Sequence, residues 1–340
     1  MRDKNKRREE QRMAKDLQRG SSLSGRQHHL AKRRQMIDLS ADLGFMRLKN
    51  PVIAASGTFG YGLEFAPFIN LDDIGGFVVK GLYAQPRPGN PPPRLAETSS
   101  GLINAIGLPG IGMKKFAEEI LPQLKKYKSA LFVNICGESP DEFITVVDYL
   151  NGCDGISAYE LNISCPNVKK EGSCPALCPE DTHSIVKLVK EASQRPVITK
   201  LSPNVTNIVE IALSAQEAGS DAISLVNTFL AMAIDTETRK PKIANIMGGL
   251  SGPAIKPIAL RMVYQVAQKV SIPVLGMGGI MSGLDAVEFL LAGATAVEVG
   301  TANFVDPEAT INIIKQVEQY CRFHHIDKLE DIIGAIDISI

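Results

Sequence analysis

An eight-stranded (β/α)8 TIM barrel is the fold this sequence predicts, and three observations lead there. Short β-rich apolar runs alternate with longer helical patterns, there are eight such runs, and polar residues and glycines collect at their C-terminal ends. Alternation of this kind marks βα units around a parallel sheet, and eight right-handed crossovers close it. A doubly wound open sheet competes, but it rarely supplies eight strands in so even a rhythm.

The elements follow in order. Residues 36–50 alternate apolar and polar side chains and suit an N-terminal hairpin closing the bottom of the barrel. The eight strand candidates are 52–55, 76–80, 131–135, 157–163, 197–201, 222–226, 274–276 and 296–299. Helical patterns follow most of them, at 112–127, 140–150, 179–193, 207–219, 253–270, 283–292 and 306–320. Two connections are long: 81–111, with Pro86, Pro88, Pro91, Pro92 and Pro93, and 229–252. Long loops at the C-terminal mouth of a barrel generally build a site.

The 340 residues, 44% of them hydrophobic, are ample for one such domain, which takes roughly 250 residues. Net charge is zero but uneven. Residues 1–35 hold 12 Lys/Arg against 4 acids, which leaves 25 Lys/Arg against 33 acids on the rest. The chain therefore divides into a basic, disordered extension (1–35) and a mildly acidic catalytic domain (36–340). That profile does not suit a dedicated nucleic-acid binder. The extension lacks the apolar core of a signal peptide, its acids Asp3, Glu9, Glu10 and Asp16 speak against a transit peptide, and no apolar run approaches a membrane span. A soluble, cytoplasmic protein is expected. The six cysteines suggest no disulfide framework.

Chemistry collects at the strand ends. Strand two brings Lys80, strand three Asn134, strand four Asn162, Ser164 and Cys165, strand five Lys200, and strand six Asn227 and Thr228. In a barrel these positions converge on one mouth. A lone strand-end Asn is usually a turn residue, but two lysines, three amides and a thiol together are hard to explain structurally, because burying an unpaired Lys is costly. Strands seven and eight end in Gly276-Met277-Gly278-Gly279 and Gly300-Thr301, whose bare N–H groups would form a barrel phosphate cradle for a ligand such as FMN or a sugar phosphate. No G-x-G-x-x-G follows a first strand, so a Rossmann nicotinamide site is not supported.

The histidines do not supply a general base. His28 and His29 lie in the extension, His183 near a helix start, and His324 and His325 near the C-terminus. Cys165 remains, since a thiolate near positive charge can take a proton. A structural thiol is the alternative, but polar Asn162 and Ser164 precede it and Pro166-Asn167 follow. Cys174 and Cys178 invite a metal, yet nothing at suitable spacing completes a ligand set, so none is expected. Cys136, Cys153 and Cys321 are read as core or surface thiols.

The string Glu160-Leu161-Asn162-Ile163-Ser164-Cys165-Pro166-Asn167-Val168-Lys169 resembles the type 1 dihydroorotate dehydrogenases. So do Ala55-Ser56-Gly57, Asn104-Ala105-Ile106-Gly107-Leu108, Thr199-Lys200-Leu201-Ser202-Pro203-Asn204-Val205, Asn227-Thr228, Gly248-Gly249-Leu250-Ser251-Gly252-Pro253 and Gly300-Thr301-Ala302-Asn303. The wording is most similar to the NAD-linked (class 1B) catalytic subunit. The resemblance implies oxidation of dihydroorotate to orotate in pyrimidine synthesis, with Cys165 as base. It implies FMN held by Ser56, Lys80, Gly81, Asn134, Asn162, Lys200, Val226, Gly252, Gly278, Gly279, Gly300 and Thr301. The pyrimidine would meet Lys80, Asn104, Ala105, Ile106, Gly107, Leu108, Asn162, Asn167, Asn227 and Thr228. Electrons would pass to NAD through a partner subunit carrying FAD and a [2Fe-2S] cluster, in a heterotetramer built on a catalytic-subunit dimer. The chain departs from the family pattern in its basic extension and in residues 170–178. The rivals are the fumarate-linked homodimeric subclass, an RNA-modifying flavoprotein of the dihydrouridine synthase kind, and a non-catalytic barrel.

Overall fold

The apolar runs become strands buried on both faces, as a parallel sheet covered by helices requires. The computed structural model describes residues 37–164 and 175–339; the basic extension 1–35 lies outside them. An antiparallel hairpin comes first, β1 (Ala41–Asp42) with β2 (Arg47–Leu48), pinned by buried Leu43 and Leu48. The chain continues through β3 (Val52–Ala54), β4 (Gly76–Leu82), β5 (Leu95–Thr98), β6 (Gly101–Asn104), β7 (Ala130–Ile135), β8 (Ala158–Asn162), β9 (Val197–Lys200) and β10 (Ala222–Leu225). It then runs through β11 (Phe229–Met232), β12 (Ile234–Asp235), β13 (Lys240–Pro241), β14 (Met247–Ser251), β15 (Val274–Met277) and β16 (Ala296–Val299).

Strands β3, β4, β7, β8, β9, β10, β15 and β16 close a parallel barrel in chain order, with β16 pairing back onto β3 through Val297↔Val52. The open-sheet alternative is excluded. All eight barrel strands fall where the apolar runs place them. Helix starts carry the expected chemistry. Ser139 caps Pro140–Asn151 by accepting from the Glu142 N–H, and Ser282 and Asp285 form a capping box on Gly283–Leu291. The helix Pro140–Asn151 turns Phe143, Val146, Val147 and Leu150 inward, each worth about 1.5–3 kcal/mol of burial.

Two departures from the sequence reading matter. The helix after β4 is broken into Met113–Lys115, a π turn Phe116–Ile120, and Leu121–Leu124; Pro122 in the last piece has no N–H to donate to the preceding turn. The long connections are not loops throughout. Their segments β11, β14, β6 and β5 pair as a four-stranded antiparallel sheet, around a small core of Ala96, Ile103 and Ile243. Its β6–β14 pairing joins residues far apart in sequence, such as Asn104 and Gly249, so local periodicity carried no sign of it.

Candidate active site

Register sets the floor of the site. Side chains at paired positions of neighbouring strands share a face, so Asn134 stands beside Glu160, Asn162 beside Lys200, and Lys200 beside Ser224. Lys200 is the buried cation there, its side chain 6% exposed. Its Nζ lies 3.3 Å from both Glu160 oxygens and 3.7 Å from Glu298 Oε2, and donates to Ser56 Oγ at 3.3 Å. Glu160 also accepts from Asn134 Nδ2 at 2.6 Å and Ser224 Oγ at 3.0 Å.

These contacts decide the charge states. Burial alone would raise the Glu160 carboxyl, but Lys200 and the hydrogen bonds to it outweigh that and hold it below its ordinary value. Burial likewise works against the Lys200 ammonium, and the two glutamates overcome it, so its pKa is raised. Glu298 goes the other way: burial first, then the charge of Glu160, push its carboxyl well above the usual range despite Lys200.

Above this floor opens a cavity of 830 Å³, within the size range of cofactor sites. All the described residues assigned to a ligand from the sequence line it. From β4 come Lys80 and Gly81, from β7 Asn134, from β8 Asn162, and from β9 Lys200. Ser56 follows β3, Val226, Asn227 and Thr228 follow β10, and Gly252 follows β14. Gly278 and Gly279 follow β15, and Gly300 and Thr301 follow β16. Asn104, Ala105, Ile106, Gly107 and Leu108 reach it from the mouth sheet. Cys165 and Asn167 lie outside the described residues, as does Cys174; Ser164, which precedes Cys165, lines the cavity.

The cavity has two chemical ends. At one, Gly252, Gly278 and Gly279 adopt φ of +94°, +124° and +80°, so their backbones approach where side chains cannot. A Cβ on Gly279 would stand 2.8 Å from the Gly252 carbonyl oxygen and from Lys256 Cβ. Thr301 Oγ1 donates to Ser251 Oγ at 2.9 Å on the same side. At the other end amides gather. Asn104 donates to the Gly249 carbonyl at 3.2 Å, and Asn204 pins the 228–230 backbone by donating to Thr228 O and accepting from Leu230 N. Lys80 stands half-buried with no ion-pair partner among the described residues. Burial, followed by the charge of Arg94, lowers its pKa against the opposing pull of Glu64.

The strand β4 runs on past Lys80 to Leu82, with a register shift between Val79 and Leu82, so Lys80 sits in a bulge rather than at the strand end. Sequence reasoning missed Glu160, Glu298, Ser224, Asn204 and Arg94. Glu160 and Glu298 had a signal: each is a charge inside an apolar strand, two residues before a mouth position and so on the same inward face. Among the described residues no group of three or more His, Cys, Asp or Glu is arranged to hold a metal, and no helix is long and apolar enough to cross a membrane.

Comparison with known proteins settles the family. The dihydroorotate dehydrogenase profile matches residues 39–321. The chain belongs to the dihydroorotate dehydrogenase family. Similar proteins named dihydroorotate dehydrogenase B (NAD(+)), catalytic subunit, include one from Geobacter sp. (strain M21), 49% identical over 304 residues, covering 89% of this chain and 100% of the relative. The Geobacter metallireducens protein of that name is 50% identical over 301 residues, 88% and 99% of the two chains. That of Bacteroides thetaiotaomicron is 48% identical over 303 residues, 89% and 100%. A dihydroorotate dehydrogenase barrel also accounts for the eight parallel strands, and the match favours this family over the non-catalytic and RNA-modifying readings.

Proposed function

We propose that the chain oxidises dihydroorotate to orotate in pyrimidine synthesis, in one cavity that holds FMN and the pyrimidine together. The observation that carries this is the buried Lys200 at the base of a cavity with a glycine cradle at one end and amides at the other, in a chain of this family. FMN, when bound, supplies the two-electron acceptor for the hydride leaving C6. Gly252, Gly278, Gly279, Gly300 and Thr301 hold its phosphate by backbone and hydroxyl donors. Ser56, Lys80, Gly81, Asn134, Asn162, Lys200 and Val226 hold the rest. Lys200 places fixed positive charge where negative charge develops, which in a buried site is worth far more than in water. Asn104–Leu108, Asn162, Asn167, Asn227 and Thr228 pair with the alternating C=O and N–H edges of the ring, and Lys80, without an ion pair among the described residues, meets the carboxylate. Cys165 takes the C5 proton.

The relatives' name, catalytic subunit, supports a second subunit that carries the electrons on. We assign it FAD and a [2Fe-2S] cluster, NAD as final acceptor, and a cytoplasmic heterotetramer built on a dimer of this chain. Leu230, Met232, Ile234, Ile246 and Met247 support assembly, since all five are exposed apolar side chains on or beside the mouth sheet. The purified chain is expected to be yellow, to bleach anaerobically with dihydroorotate, and to reduce a dye but not NAD. Co-expression with its partner restores NAD reduction. Failure to bleach defeats the reaction, NAD reduction by the chain alone defeats the partner, and rapid turnover with fumarate moves it to the homodimeric subclass.

The cradle has its own test. Gly279→Ala forces a side chain onto the Gly252 carbonyl at a left-handed φ, a strain of about 1–3 kcal/mol, so FMN affinity is expected to fall roughly tenfold or more. Flavin fluorescence titration reads this directly. Full FMN content with unchanged affinity refutes the cradle.

A further inference from the structure

Beneath the cavity the two buried glutamates are treated unequally. Glu160, on β8, takes the donors within reach: Asn134, Ser224, Ser56 and the Lys200 ammonium. Glu298, on β16, is 1% exposed, and among the described residues neither of its oxygens receives a hydrogen bond. Its cation is the same Lys200, farther off at 3.7 Å. Glu298 borders the cavity, whereas Glu160 lies behind it.

An ionised Glu298 would be a buried anion with no donor, next to a second anion, and both would rest on one ammonium. A protonated carboxyl removes that conflict, because it becomes a donor itself. Glu160 is the acceptor beside it, since both carboxyl groups stand around the same Lys200 Nζ, at 3.3 Å and 3.7 Å. The cluster then holds one carboxylate, one ammonium and one neutral acid, with no net charge.

We propose that Glu298 is a positioning residue for Lys200: a neutral acid hydrogen-bonded to Glu160, it takes up part of that carboxylate and leaves the Lys200 ammonium turned toward the cavity. Burial and the neighbouring Glu160 charge favour the same protonation state. Ser56 borders the cavity and accepts from the ammonium from the side, while Asn134, also at the cavity, holds the Glu160 carboxylate beneath it. Without Glu298, Lys200 relaxes toward a fully available Glu160 and away from the ligand. The inference rests on the reading that the cavity holds the flavin, and it concerns how this chain's charge is aimed at it.

The test has a spectroscopic and a kinetic arm on the purified full chain. Infrared difference spectra of wild type against Glu298→Gln at neutral pH should show a carboxylic-acid C=O band, sensitive to deuterium, that the variant loses. Glu298→Ala should slow flavin reduction by about tenfold or more and shift the flavin potential, with the dependence on dihydroorotate concentration unchanged, and Glu298→Gln should recover most of that loss. Loss of a carboxylate band only, or a Gln variant as slow as Ala, overturns the proposal. So does an Ala variant as fast as wild type. A Gln variant that does not fold also overturns it, because a neutral isostere should be accepted. The infrared arm needs no turnover, so it stands or falls apart from the reaction itself: wild type that keeps the acid band but fails to bleach defeats the function and not the protonation state.

Discussion

Lys200→Met is expected to cost about 3–5 kcal/mol of stability and roughly a hundred- to thousandfold of flavin reduction rate. The methionine keeps the length and apolar stem of the lysine but removes the cation shared by two buried glutamates. Glu160 keeps its bonds from Asn134 and Ser224, yet its charge is no longer balanced. The variant can relieve this by protonating Glu160, which fixes the pH dependence. In the wild type Glu160 titrates below its ordinary value of 4.5, so its contribution is present above that value and lost as pH falls through the lower one. In the variant the carboxyl is raised instead, so stability is lost as pH rises above 4.5. The gap between the two proteins should therefore be widest at neutral pH and shrink toward pH 4.5. Thermal melts across that range and stopped-flow flavin reduction measure both parts. Equal melting at neutral pH would mean that Lys200 does not carry the cluster.

How much of this was legible in the sequence follows from the range of the interactions. The barrel was legible because each strand is a local apolar run and each helix a local amphipathic pattern. Asn134, Asn162 and Lys200 were legible because strand ends converge in a barrel whatever the loops do, whereas Lys80 reaches the same cavity from a bulge two residues before the end of β4. The mouth sheet was not, since its pairing of Asn104 with Gly249 depends on two loops meeting. The inequality between Glu160 and Glu298 was not legible either. Both are glutamates inside apolar strands, and only the placement of donors from β7, β9 and β10 separates them. Asn204 is a third kind of case. In sequence it is one amide in a strand-end loop, and its role in holding the 228–230 backbone appears only with the fold.

Cys165→Ala is expected to keep FMN bound while losing roughly two to four decades of rate, as removal of a general base does. The two effects separate because the proposed phosphate cradle, Gly252, Gly278, Gly279, Gly300 and Thr301, lies far along the chain from Cys165. Cys165 follows Ser164, which lines the cavity, no histidine lies at a barrel strand end, and the deprotonated sulfur of a cysteine can take a proton and become a thiol. A free thiol titrates near pH 8.5, so the base needs positive charge to be populated at neutral pH. In the described part of the cavity the cationic side chains are Lys80, Arg94 and Lys200, and Lys200 is already paired with Glu160. Serine is the sharper replacement. It keeps the shape and a hydroxyl, but its far weaker acidity leaves almost no alkoxide, so Cys165→Ser should show weak activity that rises with pH beyond the point where the wild type has levelled off. The measurement is single-turnover flavin bleaching against pH for wild type, Ala and Ser, with flavin content determined on each. Bleaching by the Ala variant at a near-normal rate at neutral pH would take the proton away from Cys165. Loss of FMN from that variant would instead place the thiol among the groups that hold the cofactor.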